Sequence, residues 1–387
     1  MFGDKWDQAQ DAAKYVLENL NPEDRFNVVA FSTGWRIYAN SLQHPEEANG
    51  AAQWVDTLEA IGGTDIDGAL SEAFRMADDD RQTVVLFMSD GLATEGETDS
   101  SQILENAREN APDNIRIFSF GVGDDVDTFL LDQLVDDFGG TGTYVRQDER
   151  IDEEVSALYN KVSSPVLTDI SIDFGDVMVE DMYPGEPLPD LFVGSQLIIA
   201  GRYRGDGETD ITLRGKVNGE SQSITYTDIE FPEHAGGESS IPRLWATRKI
   251  GALLNSIRLN GENPELVDSI VRLSLRYGII TPYTSFLIDE NDIFTQQGRE
   301  QAFNRAERDL DALDDESSGN FAVSAADSAI AMEEAEMAPA PTQSLGQSAQ
   351  TGGGIIGGEG GRTDGFVANE PISSTESGAD FRENGQQ

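Results

Sequence analysis

Two short loops carry the side chains best suited to chemistry. Gly62-Gly63-Thr64-Asp65 leads into a helical pattern, and Ser89-Asp90-Gly91 ends the apolar run Val84-Val85-Leu86-Phe87-Met88. That run predicts a strand buried on both faces, as in a parallel sheet covered by helices. In an open α/β sheet, ligands sit beyond the carboxyl ends of the strands, so Thr64 and Asp90 are expected at one edge. A hydroxyl and a carboxylate are hard oxygen donors suited to Mg²⁺ or Mn²⁺, which take few protein ligands and keep waters. Such an ion leaves a position open for an acidic side chain of a partner protein. Each residue also has a purely structural reading. Asp90 can cap the turn that ends the strand. Thr64 can be the N-cap of the following helix, and its two roles can coexist.

The elements that must position these loops are legible as alternating strands and helices. Lys5 to Leu20 has apolar residues at helical spacing, and Phe26 to Phe31 reads as a strand with Trp35 to Leu42 as its hairpin partner. A helix from about Pro45 to Ala60 precedes the Thr64 loop, and Ile66 to Ala77 is the helix after it. Ser101 to Asn110, Asp127 to Phe138 and Asp152 to Lys161 read as helices, with strands at Ile115 to Phe120 and Thr143 to Val145 between them. This alternation predicts an α/β fold with a doubly wound, mostly parallel sheet over residues 1–162. A small antiparallel β-rich domain is expected over 163–240. A helical pair, Ile241 to Leu259 and Pro264 to Tyr277, is expected within 241–290 and packed on that domain. Thr284 to Ile288 reads as a further strand and Gln297 to Leu313 as a short helix. The stretch 291–387, rich in Gly, Ser, Glu and Pro, is expected to be mostly disordered.

Charge narrows the partners. The 387 residues hold 72 Asp and Glu against 26 Lys and Arg, a formal net charge of -46. Such a surface repels nucleic acid and anionic membranes and attracts cations and basic proteins. Acidic residues are spread along the whole chain, which reads as adaptation to high salt, where self-repulsion is screened. The chain has no Cys, so thiolate chemistry and disulfides are excluded. No apolar run reaches the length of a membrane span, and Met1-Phe2-Gly3-Asp4-Lys5 has no apolar signal region.

Other motifs are weaker. Gly121-Val122-Gly123 follows a strand but lacks the third glycine and the acidic residue of a dinucleotide fingerprint. Arg204-Gly205-Asp206 is an adhesion tripeptide that also reads as a turn. His44 and His234 are far apart and form no catalytic pair, and no Ser, His and Asp set has nucleophile-elbow context.

The chain resembles the von Willebrand factor type A domain, in the branch found in inter-alpha-trypsin inhibitor heavy chains. The resemblance rests on Met1-x-Gly3-x-Lys5, Asp24 to Phe31, Gly62 to Ile66, Ser89-Asp90-Gly91 and Phe120-Gly121-Val122-Gly123, and covers residues 1–162. Leu244 to Ile250 and Tyr277 to Ser285 resemble the segment that follows this domain in that branch. The resemblance implies a metal-ion-dependent adhesion site built from an Asp-x-Ser-x-Ser loop, a Thr loop and an Asp loop. Thr64 matches the Thr and Asp90 the Asp. The first loop and the first, central strand of the sheet have no counterpart here, so the chain is expected to begin at the edge of that motif, truncated at its N-terminus. Mg²⁺ or Mn²⁺ is then expected to bind weakly or not at all. Three functions compete: a non-enzymatic, metal-dependent protein-interaction module; a metal-independent structural or interaction protein; and a nucleotide-using α/β enzyme, for which no phosphate loop is found. The chain does not fix a localisation. The resemblance implies a secreted or cell-surface parent.

Overall fold

A computed structural model describes residues 1–78, 81–146, 148–163, 165–193, 195–217, 219–233, 240–284 and 318–337. All lie in one compact unit, Met1–Thr342. The expected helix Gln297 to Leu313 lies outside the described residues, as does nearly all of the expected strand Thr284 to Ile288.

Three parallel strands form the centre, in the order β3 (Thr83–Ser89), β4 (Ile115–Val122), β5 (Gly142–Val145). The register runs from Thr83↔Ile115 to Ser89↔Gly121 and from Ser119↔Gly142 to Val122↔Val145. Successive side chains of a strand point to opposite faces. Phe87, Ile115 and Ile117 pack with α3 (Ile66–Arg75), α4 (Ser100–Asn110) and α5 (Thr128–Phe138). Phe120, Val122, Leu86 and Met88 pack with α1 (Asp4–Glu18) and α6 (Ile151–Val162) on the other face. There α2 (Ala48–Val55), shorter than the expected helix Pro45 to Ala60, packs on Leu17 of α1 through Ala51 and Val55. Helices thus cover both faces of a mostly parallel sheet, the doubly wound arrangement. The helix starts follow from side chains that replace missing backbone partners. Asp99 Oδ1 accepts from Gln102 N–H at 3.0 Å, and Asp127 Oδ1 from Leu130 N–H at 3.0 Å.

The strand expected to be buried on both faces is the edge one. Val84 is 41% exposed, and no described strand pairs with the outer edge of β3. Burial on both faces belongs to β4, from Ile115 to Val122. The expected strand Phe26 to Phe31 is shorter, β1 (Val29–Phe31), paired antiparallel with β2 (Trp35–Ile37). Asn27 explains the loss. Its side-chain Oδ1 accepts from Ala39 N–H at 3.2 Å and its Nδ2 donates to Ala39 O at 2.6 Å, so a side chain takes the ladder's place. Phe31 stacks on Phe87 at 5.6 Å, so β1 meets β3 through rings.

Beyond the α/β layer the strands are antiparallel. β6 (Pro165–Asp173), β7 (Met178–Tyr183), β8 (Leu191–Phe192), β9 (Ala200–Arg204), β10 (Gly207–Val217) and β11 (Glu220–Phe231) form the sheets β11-β10-β6-β8 and β7-β9. α7 (Ser240–Asn260) and α8 (Pro264–Tyr277) bury Trp245, Ile250, Ile257, Val267 and Ile270 with Ala200 of β9. Arg248 of α7 is buried, and its guanidinium donates to Ala335 O at 2.8 Å, to Tyr183 O at 3.2 Å and to Ile198 O. Arg258 of α7 pairs with the buried Asp132 of α5, whose other oxygen accepts from Tyr144 OH at 2.7 Å. Burial raises the Asp132 pKa, and the Arg258 charge works against that rise.

Residues 320–333 depart from the expected disordered tail. They form α9 (Asn320–Glu333), with Val323 and Ala326 inside the α/β core. Composition misleads here because the helix docks through small side chains. At Gly251 of α7 an added Cβ would lie 2.5 Å from Glu333 N and 2.9 Å from Met332 C, so the two backbones are nearly in contact. Asp327 pairs with Arg146 at 3.1 Å, and Gly319 N–H donates to Asp124 O at 2.6 Å.

Two stability tests follow from this docking. Gly→Ala inside a free helix gains roughly 0.5–1 kcal/mol. At position 251 overpacking against α9 reverses the sign, and Gly251→Ala is expected to lower unfolding stability by about 1–3 kcal/mol in denaturant melts. Glu333 is the last residue of α9 and feels Asp132 and Asp136 of α5. Burial first, then Asp136, Glu334 and Asp132, push its carboxyl up from 4.5 to about 7, against the pull of Arg258. A raised carboxyl favours the folded state while protonated, so its contribution is present below 4.5 and is lost as pH climbs to about 7. Glu333→Gln is expected to gain stability relative to the parent across that window, read from melting temperatures at stepped pH.

Candidate functional site

The Thr64 loop and the loop after β3 are hydrogen-bonded to each other. Thr94 N–H and Glu95 N–H donate to Thr64 O at 3.0 and 3.2 Å, and Thr64 N–H donates to Thr94 Oγ1 at 2.9 Å. Asp65 N–H donates to Ser32 O at 2.8 Å, which ties the same loop to the end of β1. These bonds use the backbone of Thr64 and leave its hydroxyl out. Gly62 has φ +92, and a Cβ there would meet Thr33 Oγ1 at 2.5 Å, so the turn demands glycine.

The helix cap falls to the next residue. Asp65 is buried and its Oδ1 accepts from Gly68 N–H at 3.0 Å, so Asp65, and not Thr64, is the N-cap of α3. Sequence spacing could have found it, since Asp also precedes the first turns of α4 and α5. The turn after β3 is likewise held by a neighbour: Ser89 Oγ bonds Gly91 O at 3.2 Å. Asp90 has a different contact. Its Oδ2 lies 2.5 Å from the Met1 ammonium; the Met1 side chain is nearly covered and the Asp90 side chain 36% exposed. Lys5 Nζ, donating to Arg146 O at 2.8 Å and Glu149 O at 2.7 Å, holds the start of α1 against the end of β5.

Thr64 and Asp90 therefore offer one hydroxyl and one carboxylate, with the Met1 ammonium as a cation already on Asp90. The donors are right in kind for a hard divalent ion and short in number, since such an ion gives up water only to several placed oxygens. Among the described residues no group of three or more His, Cys, Asp or Glu could hold a metal ion.

The remaining motifs have structural roles. At Gly121 a Cβ would meet the Tyr144 ring at 2.7 Å, so this glycine makes room for an aromatic ring. Arg204-Gly205-Asp206 joins β9 to β10 with φ +98 at Gly205, and Arg204 pairs with Glu180 at 3.1 Å. His44 precedes a single 3-10 turn at Pro45–Glu47, and His234 lies outside the described residues. No helix among the described residues is long and apolar enough to cross a membrane.

Splitting the cap from the hydroxyl gives a test. Asp65→Ala is expected to cost about 1 kcal/mol of unfolding free energy through the lost cap. Thr64→Ala is expected to stay within about 0.5 kcal/mol of the parent, as for a side chain with no structural partner. Urea melts of both variants read the difference.

Comparison with known proteins matches this architecture. Residues 1–144 match the von Willebrand factor type A domain. Inter-alpha-trypsin inhibitor heavy chain H4 of Homo sapiens is 28% identical over 316 residues, covering 76% of this chain and 34% of the relative. Heavy chain H6 of Homo sapiens is 27% identical over 363 residues, covering 85% of this chain and 27% of the relative. The chain spans about a third of the length of these relatives. Among solved structures, von Willebrand factor type A from Catenulispora acidiphila superposes with a TM-score of 0.51 at 17% identity, over 71% of this chain and 75% of that one. Residues 1–144 thus carry the match to the von Willebrand factor type A domain, and the chain is similar to inter-alpha-trypsin inhibitor heavy chains.

Proposed function

We propose that this chain is a non-enzymatic protein-interaction module whose carboxyl-edge site supplies Thr64 and Asp90 to a Mg²⁺ or Mn²⁺ ion. The ion bridges to an acidic side chain of a partner protein. One observation supports the reading: the Thr64 hydroxyl neither caps α3 nor ties the loop, and the Asp90 carboxylate does not hold the turn after β3. Asp65 caps α3 and Ser89 holds the turn. In a chain of net charge -46, a bound cation is also what lets a partner carboxylate approach. Similarity to the heavy chains supports a secreted or cell-surface parent, and the acidic surface supports a high-salt setting.

A second reading is a metal-independent interaction protein: among the described residues no group of three or more His, Cys, Asp or Glu could hold a metal ion. The two readings part in one experiment. The chain is compared with a version extended before Met1 by an apolar strand ending in Asp-x-Ser-x-Ser. The extension removes the ammonium from Asp90, adds oxygen donors and offers a partner to the open edge of β3. Calorimetry with Mg²⁺ and Mn²⁺ is expected to show weak heat for the parent and saturable binding for the extended chain, with a higher melting temperature. Asp90→Ala in the extended chain is expected to abolish the binding while the fold survives. Metal binding that persists in that variant assigns the site elsewhere.

A further inference from the structure

The outer edge of β11 is a strand left open over a long, uncharged stretch. β11 has 12 residues and ends the sheet β11-β10-β6-β8. Its ladder to β10 is regular from Val217↔Glu220 to Ile211↔Tyr226, and Glu220 to Asp228 are all exposed. No described strand pairs with its other side. Proteins that stay monomeric guard such an edge with charges, Pro or a bulge. From Ser221 to Thr227 the sequence is Ser-Gln-Ser-Ile-Thr-Tyr-Thr, with none of these. The irregularity comes after it, opposite Asp210, where Asp228 takes φ +59.

The apolar face of this sheet also runs out uncovered at β11. Ile224 lies across from Leu213, and Tyr226 across from Ile211, so each pair shares a face. Leu213 packs on the cluster of Leu167, Ile170 and Leu188. Ile224 and Tyr226 remain 50% and 52% exposed.

We propose that β11 pairs antiparallel with β11 of a second copy of this chain, around a two-fold axis at Ser223. The strip is self-complementary: paired about its middle it sets no carboxylate against another, so two copies can meet there although each carries a net charge of -46. The axis places Ser223 against Ser223, Gln222 against Ile224, Ser221 against Thr225 and Glu220 against Tyr226. No two acidic side chains face each other. The pairing uses the same edge of both copies, so it closes as a dimer and does not propagate. Salt screens the repulsion between the two bodies, so the dimer strengthens with ionic strength.

Sedimentation velocity of the full chain in dilute buffer and in molar NaCl tests this. The expected result is a doubling of mass in molar salt. Ser223→Asp faces Arg214, which already pairs with Asp173 at 3.2 Å, so the new carboxylate shares a cation within its own sheet. Across the axis it sets two carboxylates together, and it is expected to stay monomeric in molar salt while melting like the parent in dilute buffer, where both are monomers. The chain has no Cys, so Ser223→Cys left in dissolved oxygen is expected to give a covalent dimer. Tyr226→Cys, which faces Glu220, is not. A monomer at both salt concentrations overturns the proposal. So do species larger than a dimer, a Ser223→Asp variant that dimerises like the parent, and a Ser223→Cys variant that fails to cross-link.

Discussion

The α/β part of this molecule depends on one constraint: β4 has no face open to water. Ile115 and Ile117 point to one side and Phe120 and Val122 to the other, all nearly inaccessible. A strand in that position must have helices on both sides, and α3 to α5 and α1 with α6 supply them. Its register then sets the site. Ser89 pairs with Gly121 at the carboxyl end of the ladder, so Asp90 is the first residue past the sheet. The loop after Asp90 is stitched to Thr64 through Thr94 and Glu95. A rigid strand end and a hydrogen-bonded loop pair thus fix where the two side chains sit.

Some of this was legible in the sequence. The doubly wound fold was, because apolar runs alternate with helical spacing and because Asp99 and Asp127 mark helix starts by their chemistry. The edge position of β3 was not. Its residues are as apolar as those of β4, and burial depends on which strand lies alongside, a fact no local pattern holds. The cap of α3 was open in the sequence, since Thr64 and Asp65 can both cap and only the backbone geometry decides for Asp65. α9 was hidden for another reason. A helix that docks by backbone proximity needs Ala and Gly at the contact, as at Ala326, Ala329 and Gly251, and such residues read as low-complexity sequence. Buried charges were equally silent. Among so many acidic residues, nothing singles out Asp132 until Arg258 and Tyr144 are found beside it.

The buried ions and the candidate site divide the charged residues by task. Arg248 and Arg258 hold α7 to the segment just past α9, to β7 and to α5 through carbonyls and one carboxylate. A buried charge stripped of its partner is costly, so these contacts fix one arrangement of the layers. Asp90 is instead at the surface, on a strand end, against a cation that is part of the chain itself. Its neighbours Asp65 and Ser89 carry the local structure, as cap of α3 and as holder of the turn after β3.

The central claim is that a divalent cation is recognised at this edge and not by the acidic surface at large. Mn²⁺ speeds the relaxation of nearby amide protons, so a titration followed by amide NMR locates the ion directly. The account predicts early, selective broadening at Gly63 to Asp65 and at Asp90 to Glu95, lost in Asp90→Ala. Broadening spread evenly over the acidic surface, or centred elsewhere and unchanged in Asp90→Ala, would contradict it.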